Sequence, residues 1–302
     1  MRRFIMKSRV REPVVAGQFY EEDPEKLKEQ LVSCFLHSLG PGKMMDKKQK
    51  ENKNKFMAAI VPHAGYVFSG PCASYAYSAI ANSSFIPDTI ILIGPNHTGL
   101  GNHHLSVSFQ DFQTPLGIIK NNLTLAKEIT KNSDAKNDET AHIHEHCLEV
   151  QLPFLQFIFK NQKFKIVPIV IATQDKEACE KLGKDLGKII KDYGKKVLII
   201  ASSDFTHYGQ NYNFVPFKPE TNFNQQLYEF DKEAIDSILA LDSDDFYKIA
   251  KEKTICGMAP IFILLKICKN LKLKDAKLLK QYASSEIIPN KNAVDYASIV
   301  FK

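Results

Sequence analysis

The side chains best suited to chemistry stand at the ends of short apolar runs. Ala58-Ala59-Ile60-Val61 leads into Pro62-His63, and Thr89-Ile90-Ile91-Leu92-Ile93 into Gly94-Pro95-Asn96-His97. Val197-Leu198-Ile199-Ile200 leads into Ser202-Ser203-Asp204, with His207 close behind. Imidazole and carboxylate are metal donors and proton carriers. One histidine after a strand is usually incidental. Three such endings predict a shared cleft, because ligands of an open α/β sheet bind beyond the carboxyl ends of its strands. Gly65 and Gly94, beside two of the endings, are expected to let the backbone turn sharply.

Cys256 stands in Thr254-Ile255-Cys256-Gly257-Met258-Ala259-Pro260, before the apolar helix expected over Ile261 to Ile267. A cysteine at a helix amino end is expected to ionise readily, since unpaired N–H groups and the dipole favour the thiolate. A thiolate is both a nucleophile and a soft metal ligand. Cys34, Cys72, Cys179 and Cys268 read as small buried apolar residues, and Cys147 leans the same way. No C-x-x-C pair is present, so reduced thiols are expected rather than a disulfide framework. His142-Ile143-His144-Glu145-His146 is dense in donors but does not fit H-E-x-x-H, which sets two histidines one helical turn apart. Glu145 and His146, nearest a helix expected over Leu148 to Phe159, are the better candidates. His142 and His144 read equally well as surface loop.

These residues need a scaffold. Asp23 is placed to cap a helix with Pro24 in its first turn and Leu27, Leu31 and Phe35 at helical spacing. Gly70 to Ile80 and Lys176 to Lys191 read as helices. Ile166 to Ile171, Ala276 to Ala283 and Ala293 to Phe301 read as further strands. Consecutive β-branched residues, without alternation, mean strands covered on both faces. The predicted class is α/β, one domain over 1–302 with a central mixed sheet flanked by helices. Glu12 to Tyr20 reads as an irregular lead, and the Lys/Asn-rich stretch 41–55 as a flexible solvated loop.

The 302 residues are 44% hydrophobic and 25% charged, enough for a sizeable core. The longest apolar stretches, such as Ala259 to Leu265, fall far short of the roughly 20 residues that cross a bilayer. No apolar run follows Arg2 and Arg3, so a cytoplasmic protein without a membrane partner is expected. The net charge is +6, but all four arginines (Arg2, Arg3, Arg9 and Arg11) lie at the amino end and tryptophan is absent. Bidentate reading of guanine and phosphate is mainly arginine work. A lysine-coated surface is therefore expected, not nucleic-acid binding.

Taken in order, Pro62-His63-Ala64-Gly65-Tyr66, Gly94-Pro95-Asn96-His97, Glu145-His146 with Glu149 and Leu152-Pro153, Ser202-Ser203-Asp204-Phe205-Thr206-His207 and Ile255-Cys256-Gly257 resemble the Memo family. Its prokaryotic members are called protein B of the AmmeMemoRadiSam system. Ala16-Gly17-Gln18-Phe19-Tyr20 and Tyr282-Ala283-Ser284-Ser285 extend the likeness to nearly the whole chain. The resemblance implies a fold similar to class III extradiol (LigB-like) dioxygenases and a metal in the cleft. It carries metal ligands onto His63, His97 and Cys256, and pocket positions onto Glu145, His146, Asp204 and His207. Fe(II) is the first expectation, with copper or zinc next. A thiolate in place of the usual carboxylate departs from the facial triad, so ring cleavage does not follow from the fold. The resemblance also implies association with a radical-SAM protein and an AMMECR1-like protein in an undefined modification pathway.

Three functions are compatible with these residues. The first is a metal-dependent redox protein, with His207 or His146 as general acid/base and Asp204 orienting an imidazole. The second is a module that binds a peptide or other partner in a cleft rimmed by Tyr66, Phe68 and Tyr208, with no arginine available to fork onto phosphate. The third is hydrolysis, through a Cys256 nucleophile or zinc-activated water.

Overall fold

The computed structural model describes residues 10–46, 54–160 and 162–302. Arg2, Arg3, Arg9 and residues 47–53 of the expected loop lie outside the described residues, while 41–46 are turn and irregular backbone. The expected apolar runs are strands of one mixed sheet. Phe56–Val61, Val197–Ser202, Thr89–Pro95 and Lys165–Ile171 lie side by side in that order, all parallel. Ala293–Phe301 continues the sheet antiparallel to Phe56–Val61, and both Ala276–Ala283 and His207–Tyr208 pair with it. Leu105–Val107 and Lys136–Asn137 extend the other edge.

Both faces of the central strands are covered, which is why their sequences do not alternate. Met57, Ala59 and Val61 enter one core with Leu27, Leu31, Phe35, Tyr77 and Phe154. Ala58 and Ile60 enter the other with Leu182, Leu186, Phe262 and Leu265. Helices Pro24–Leu36, Tyr66–Asn82 and Gln151–Ile158 build the first face, and Lys176–Tyr193 and Met258–Leu271 the second. Asp23 caps as expected, its Oδ1 accepting from the Glu25 and Lys26 amides.

The amino-terminal lead is more firmly held than its sequence suggests. Val10–Arg11 pairs parallel with Asp111–Thr114 in a small three-stranded sheet. The Arg11 guanidinium, fully enclosed, forms an ion pair with Glu149 and donates to the His142 carbonyl at 2.9 Å and the Glu145 carbonyl at 2.7 Å. Glu149 also accepts from the Tyr20 hydroxyl at 2.6 Å and from the Val14 and Val15 amides. An arginine thus does stand beside the 142–149 segment, but its donors are engaged within the fold. His142 is not a surface residue: it is buried, with Nε2 3.2 Å from the Ser106 carbonyl.

Replacing Glu149 by Gln keeps the shape and leaves the Arg11 charge buried without a counter-charge. A loss of about 3–5 kcal/mol is expected in urea unfolding; a loss under about 1 kcal/mol would show the pair to be dispensable. Burial lowers the His142 imidazole from its ordinary 6.5 to about 4. As pH falls through 6.5 the unfolded chain takes up this proton and the folded chain does not, so stability declines down to about 4, where both states carry it. In metal-free protein the pH slope of stability over that window should be shallower for His142→Phe than for wild type; equal slopes would contradict the burial of a neutral ring.

Candidate metal centre

The strand register brings the polar endings level. Val61 pairs with Ser202 and Ile93 with Ala201. His63 and Asp204, each two residues further on, therefore meet, and the His63 amide donates to Asp204 Oδ1 at 2.7 Å. The rings of His63 and His97 are 5.0 Å apart between centroids, edge to face. His146 lies 5.6 Å from His63 and stacks at 4.6 Å on His97. Each of these three imidazoles offers a nitrogen within 4.8 Å of the others. Cys256 touches this group at His63 alone, its Sγ 3.2 Å from Nε2, and is not one of the three side chains that converge. His97 and Cys256 also line one cavity of about 480 Å³.

A buried carboxylate orients this group. Glu145 accepts from the His97 amide at 2.6 Å and lies 2.9 Å from His97 Nδ1 through its other oxygen. The Cys147 amide donates to it at 3.0 Å, and His146 Nδ1 is 3.4 Å away. Burial alone pushes the Glu145 carboxyl up, but the His97 hydrogen bond and charge, the Cys147 amide and His146 outweigh it and hold it at about 2. An ionised carboxylate only accepts, so His97 carries its proton on Nδ1 and presents Nε2. Glu145, a candidate for catalysis from the sequence, has both oxygens engaged by His97 and the Cys147 amide. Burial, then the neighbouring His97, His146 and His207, lowers the His63 pKa well below the usual range. Burial likewise brings His146 to about 4 against the pull of Glu145. Neutral imidazoles are the form that binds metal.

Two glycines make room for the cluster. A Cβ on Gly94 would lie 2.4 Å from Cys147 Sγ, and one on Gly257 would lie 2.3 Å from Ser203 Cβ. Gly65 caps the helix that follows His63 without a positive φ, and Gly94 lies within its strand, where the requirement is close approach. Cys147 is buried, as its apolar reading expects, with Sγ 3.2 Å from the Pro95 carbonyl. Cys256 departs from expectation. Burial and then the Asp204 charge push its thiol up, against hydrogen bonds at Asp204, Ser203 and the Gly257 amide. The helix itself begins only at Met258, so desolvation dominates the helix-end effect.

Asp204 is buried, and its Oδ1 holds the His63 backbone, not the imidazole it was expected to orient. Burial raises its pKa, partly offset by His207. His207 Nδ1 lies 3.0 Å from both the Phe205 and Thr254 carbonyls. Those oxygens only accept, so Nδ1 carries the proton and Nε2 is free. Tyr66 and Tyr208, expected at the rim, are core residues. Their hydroxyls donate at 2.6 Å to the Val150 and Phe217 carbonyls, and their rings pack on Phe154 and Phe223. Phe68 is partly buried and His144 exposed. The cavity beside His97 and Cys256 is walled instead by His103, His104, Thr173 and Gln174. The adjacent histidines after Gly99 and Gly101 were the sequence sign of that wall.

The sequence profile described as Memo-like protein matches residues 11–300. A MEMO1 family protein of Sulfurisphaera tokodaii is 39% identical over 297 residues, covering 97% of this chain and 99% of the relative. One from Nitrosopumilus maritimus is 38% identical over 296 residues with the same coverage. One from Pyrococcus abyssi is 39% identical over 300 residues, again covering 97% and 99%. The crystal structure of uncharacterized protein JW3007 from Escherichia coli K12 is similar in fold, with a TM-score of 0.52 at 10% identity, covering 82% of this chain and 99% of that one. With a full-length profile match, close relatives along the whole chain and its motifs gathered at one sheet edge, this chain belongs to the Memo-like protein family.

Proposed function

We propose that this protein holds one transition-metal ion on His63, His97 and Cys256 and uses it in a redox, dioxygen-linked reaction on a small molecule. The observation that carries this reading is a pair of imidazoles with Nδ1 already tied, His63 to Ser202 Oγ and His97 to Glu145 Oε1, both at 2.9 Å. Their Nε2 atoms are left as donors, and one faces the Cys256 sulfur at 3.2 Å. Metal–nitrogen bonds of about 2.0–2.1 Å and metal–sulfur bonds of about 2.3 Å separate tetrahedral N and S ligands by about 3.5 Å. The His63–Cys256 pair already stands near that spacing, whereas His97 would have to be drawn in to share an ion with the sulfur. Two imidazoles and a thiolate suit iron(II), copper or zinc, and Fe(II) is our first choice. Such an ion supplies electron transfer and a Lewis-acid centre.

The chain's own groups do the rest. His207, partly exposed with Nε2 free, moves a proton at that atom. His146 is close enough to give a further donor or a second proton carrier. Asp204 and Glu145 fix the backbone and ring of the two histidines. The cavity of about 480 Å³, walled by His103, His104, Thr173 and Gln174, fits a small polar substrate. The family likeness supports work alongside a radical-SAM and an AMMECR1-like protein, and a cytoplasmic location. No described helix is long and apolar enough to cross a membrane. The peptide-binding reading loses its rim tyrosines, and the thiol-hydrolase reading its easily ionised cysteine.

Protein purified without oxygen should carry stoichiometric iron or copper by elemental analysis, and His63→Ala should lose most of it. Wild type that holds no metal and cannot be loaded overturns the proposal, and zinc as the resident ion favours hydrolysis. Cys256→Ser should lose metal while His146→Ala keeps it; the reverse result gives the third position to His146. Glu145→Gln should weaken metal affinity about 10–100-fold in a chelator competition, as removal of an outer hydrogen-bond partner does.

A further inference from the structure

The proton on His63 is placed by a chain of hydrogen bonds that reaches away from the cleft. His63 is almost wholly enclosed, and its Nδ1 lies 2.9 Å from Ser202 Oγ. That hydroxyl has one hydrogen and two lone pairs. It has two further neighbours: the Cys147 carbonyl at 2.7 Å, which can only accept, and Gln151 Nε2 at 2.8 Å, which can only donate. The Gln151 amide is itself oriented. Its Nε2 also donates to the Pro62 carbonyl at 3.0 Å, and its Oε1 accepts from the Tyr77 hydroxyl. Turning the amide over would set Oε1 against the Pro62 carbonyl, acceptor on acceptor. Tyr77 cannot drift, since it is buried and stacks on Phe154 with 4.7 Å between centroids.

The assignment then closes. The serine hydrogen goes to Cys147, one lone pair takes Gln151, and the remaining lone pair must take a hydrogen from His63. We propose that Tyr77, Gln151 and Ser202 form a positioning relay that locks His63 as its Nδ1–H tautomer and presents the Nε2 lone pair to the cleft. Without an ion, that lone pair accepts from the Cys256 thiol 3.2 Å away. With one, it is the ligand. Free histidine favours the opposite tautomer, so the relay sets how much of this ring presents a bare Nε2. The proposal rests on the metal reading only for its consequence, not for the tautomer.

The test uses long-range ¹H–¹⁵N NMR of metal-free, histidine-labelled protein above pH 7.5, with the His63 signals assigned by their absence from His63→Gln. Wild type should show a protonated Nδ1 and a bare Nε2. Ser202→Ala and Gln151→Met should shift the population toward Nε2–H, and Ser202→Thr should restore it. Metal affinity in the two disrupting variants should fall about 10–100-fold. Wild-type His63 with its proton on Nε2 overturns the proposal, as does an unchanged tautomer in both disrupting variants. If those variants do not fold, the wild-type spectrum alone decides. A correct tautomer in a protein that binds no metal upholds the relay and rejects the metal reading, so the two failures are distinct.

Discussion

Parallel pairing of Phe56–Val61, Val197–Ser202 and Thr89–Pro95 is the constraint on which the site rests. Strands that run the same way end on the same edge of the sheet, and neighbours lie about 4.8 Å apart. Val197–Ser202 is the middle strand, so the backbones carrying His63 and His97 flank it and stand about twice that spacing from each other. The two imidazoles approach to 5.0 Å between centroids, while Asp204, beyond the end of the middle strand, holds the His63 amide. Apolar cover on both faces keeps the strands from sliding, because a slip of one residue would turn core side chains to the wrong face.

Beneath that edge, charge must be satisfied away from water. Glu145 and Glu149 are both buried, four residues apart, and each is fully occupied. Glu145 serves His97; Glu149 serves Arg11, Tyr20 and two backbone amides. A buried carboxylate without such partners would take up a proton or expel the segment. The amino-terminal lead is therefore part of the support of the cleft. On the other side of the site, Asp231 accepts from the Thr206 amide and hydroxyl, while burial pushes its neighbour Asp295 well up. These bonds fix the backbone between Asp204 and His207.

His63, His97 and His207 are all tied at Nδ1, by a hydroxyl, a carboxylate and carbonyls respectively. Nε2 is in each the ring nitrogen turned away from that partner. Pre-orienting donor rings in this way lowers the cost of gathering them on an ion. The raised thiol of Cys256 belongs to the same picture: its sulfur lies between His63 Nε2 at 3.2 Å and the Asp204 carbonyl at 3.5 Å.

Much of this was legible in the sequence. Runs such as Thr89 to Ile93 announce buried strands because β-branched residues in unbroken succession fit a sheet covered twice, and the histidines that follow them fall at strand ends by simple adjacency. Those are local properties, and the sequence carries them. Cys256 was linked to the histidines only by family likeness, and Tyr66 and Tyr208 show the limit of motif reading, since a tyrosine beside a conserved-looking turn is written the same way whether its ring lines a cleft or fills a core. Strand order, register, the burial of His142, the Arg11–Glu149 pair and the contact of His63 with Ser202 were decided by tertiary structure. Arg11 is 138 residues from Glu149 and Cys256 is 193 from His63. Interactions over such separations depend on how the whole chain packs, and no local pattern of residues encodes which distant partner will arrive.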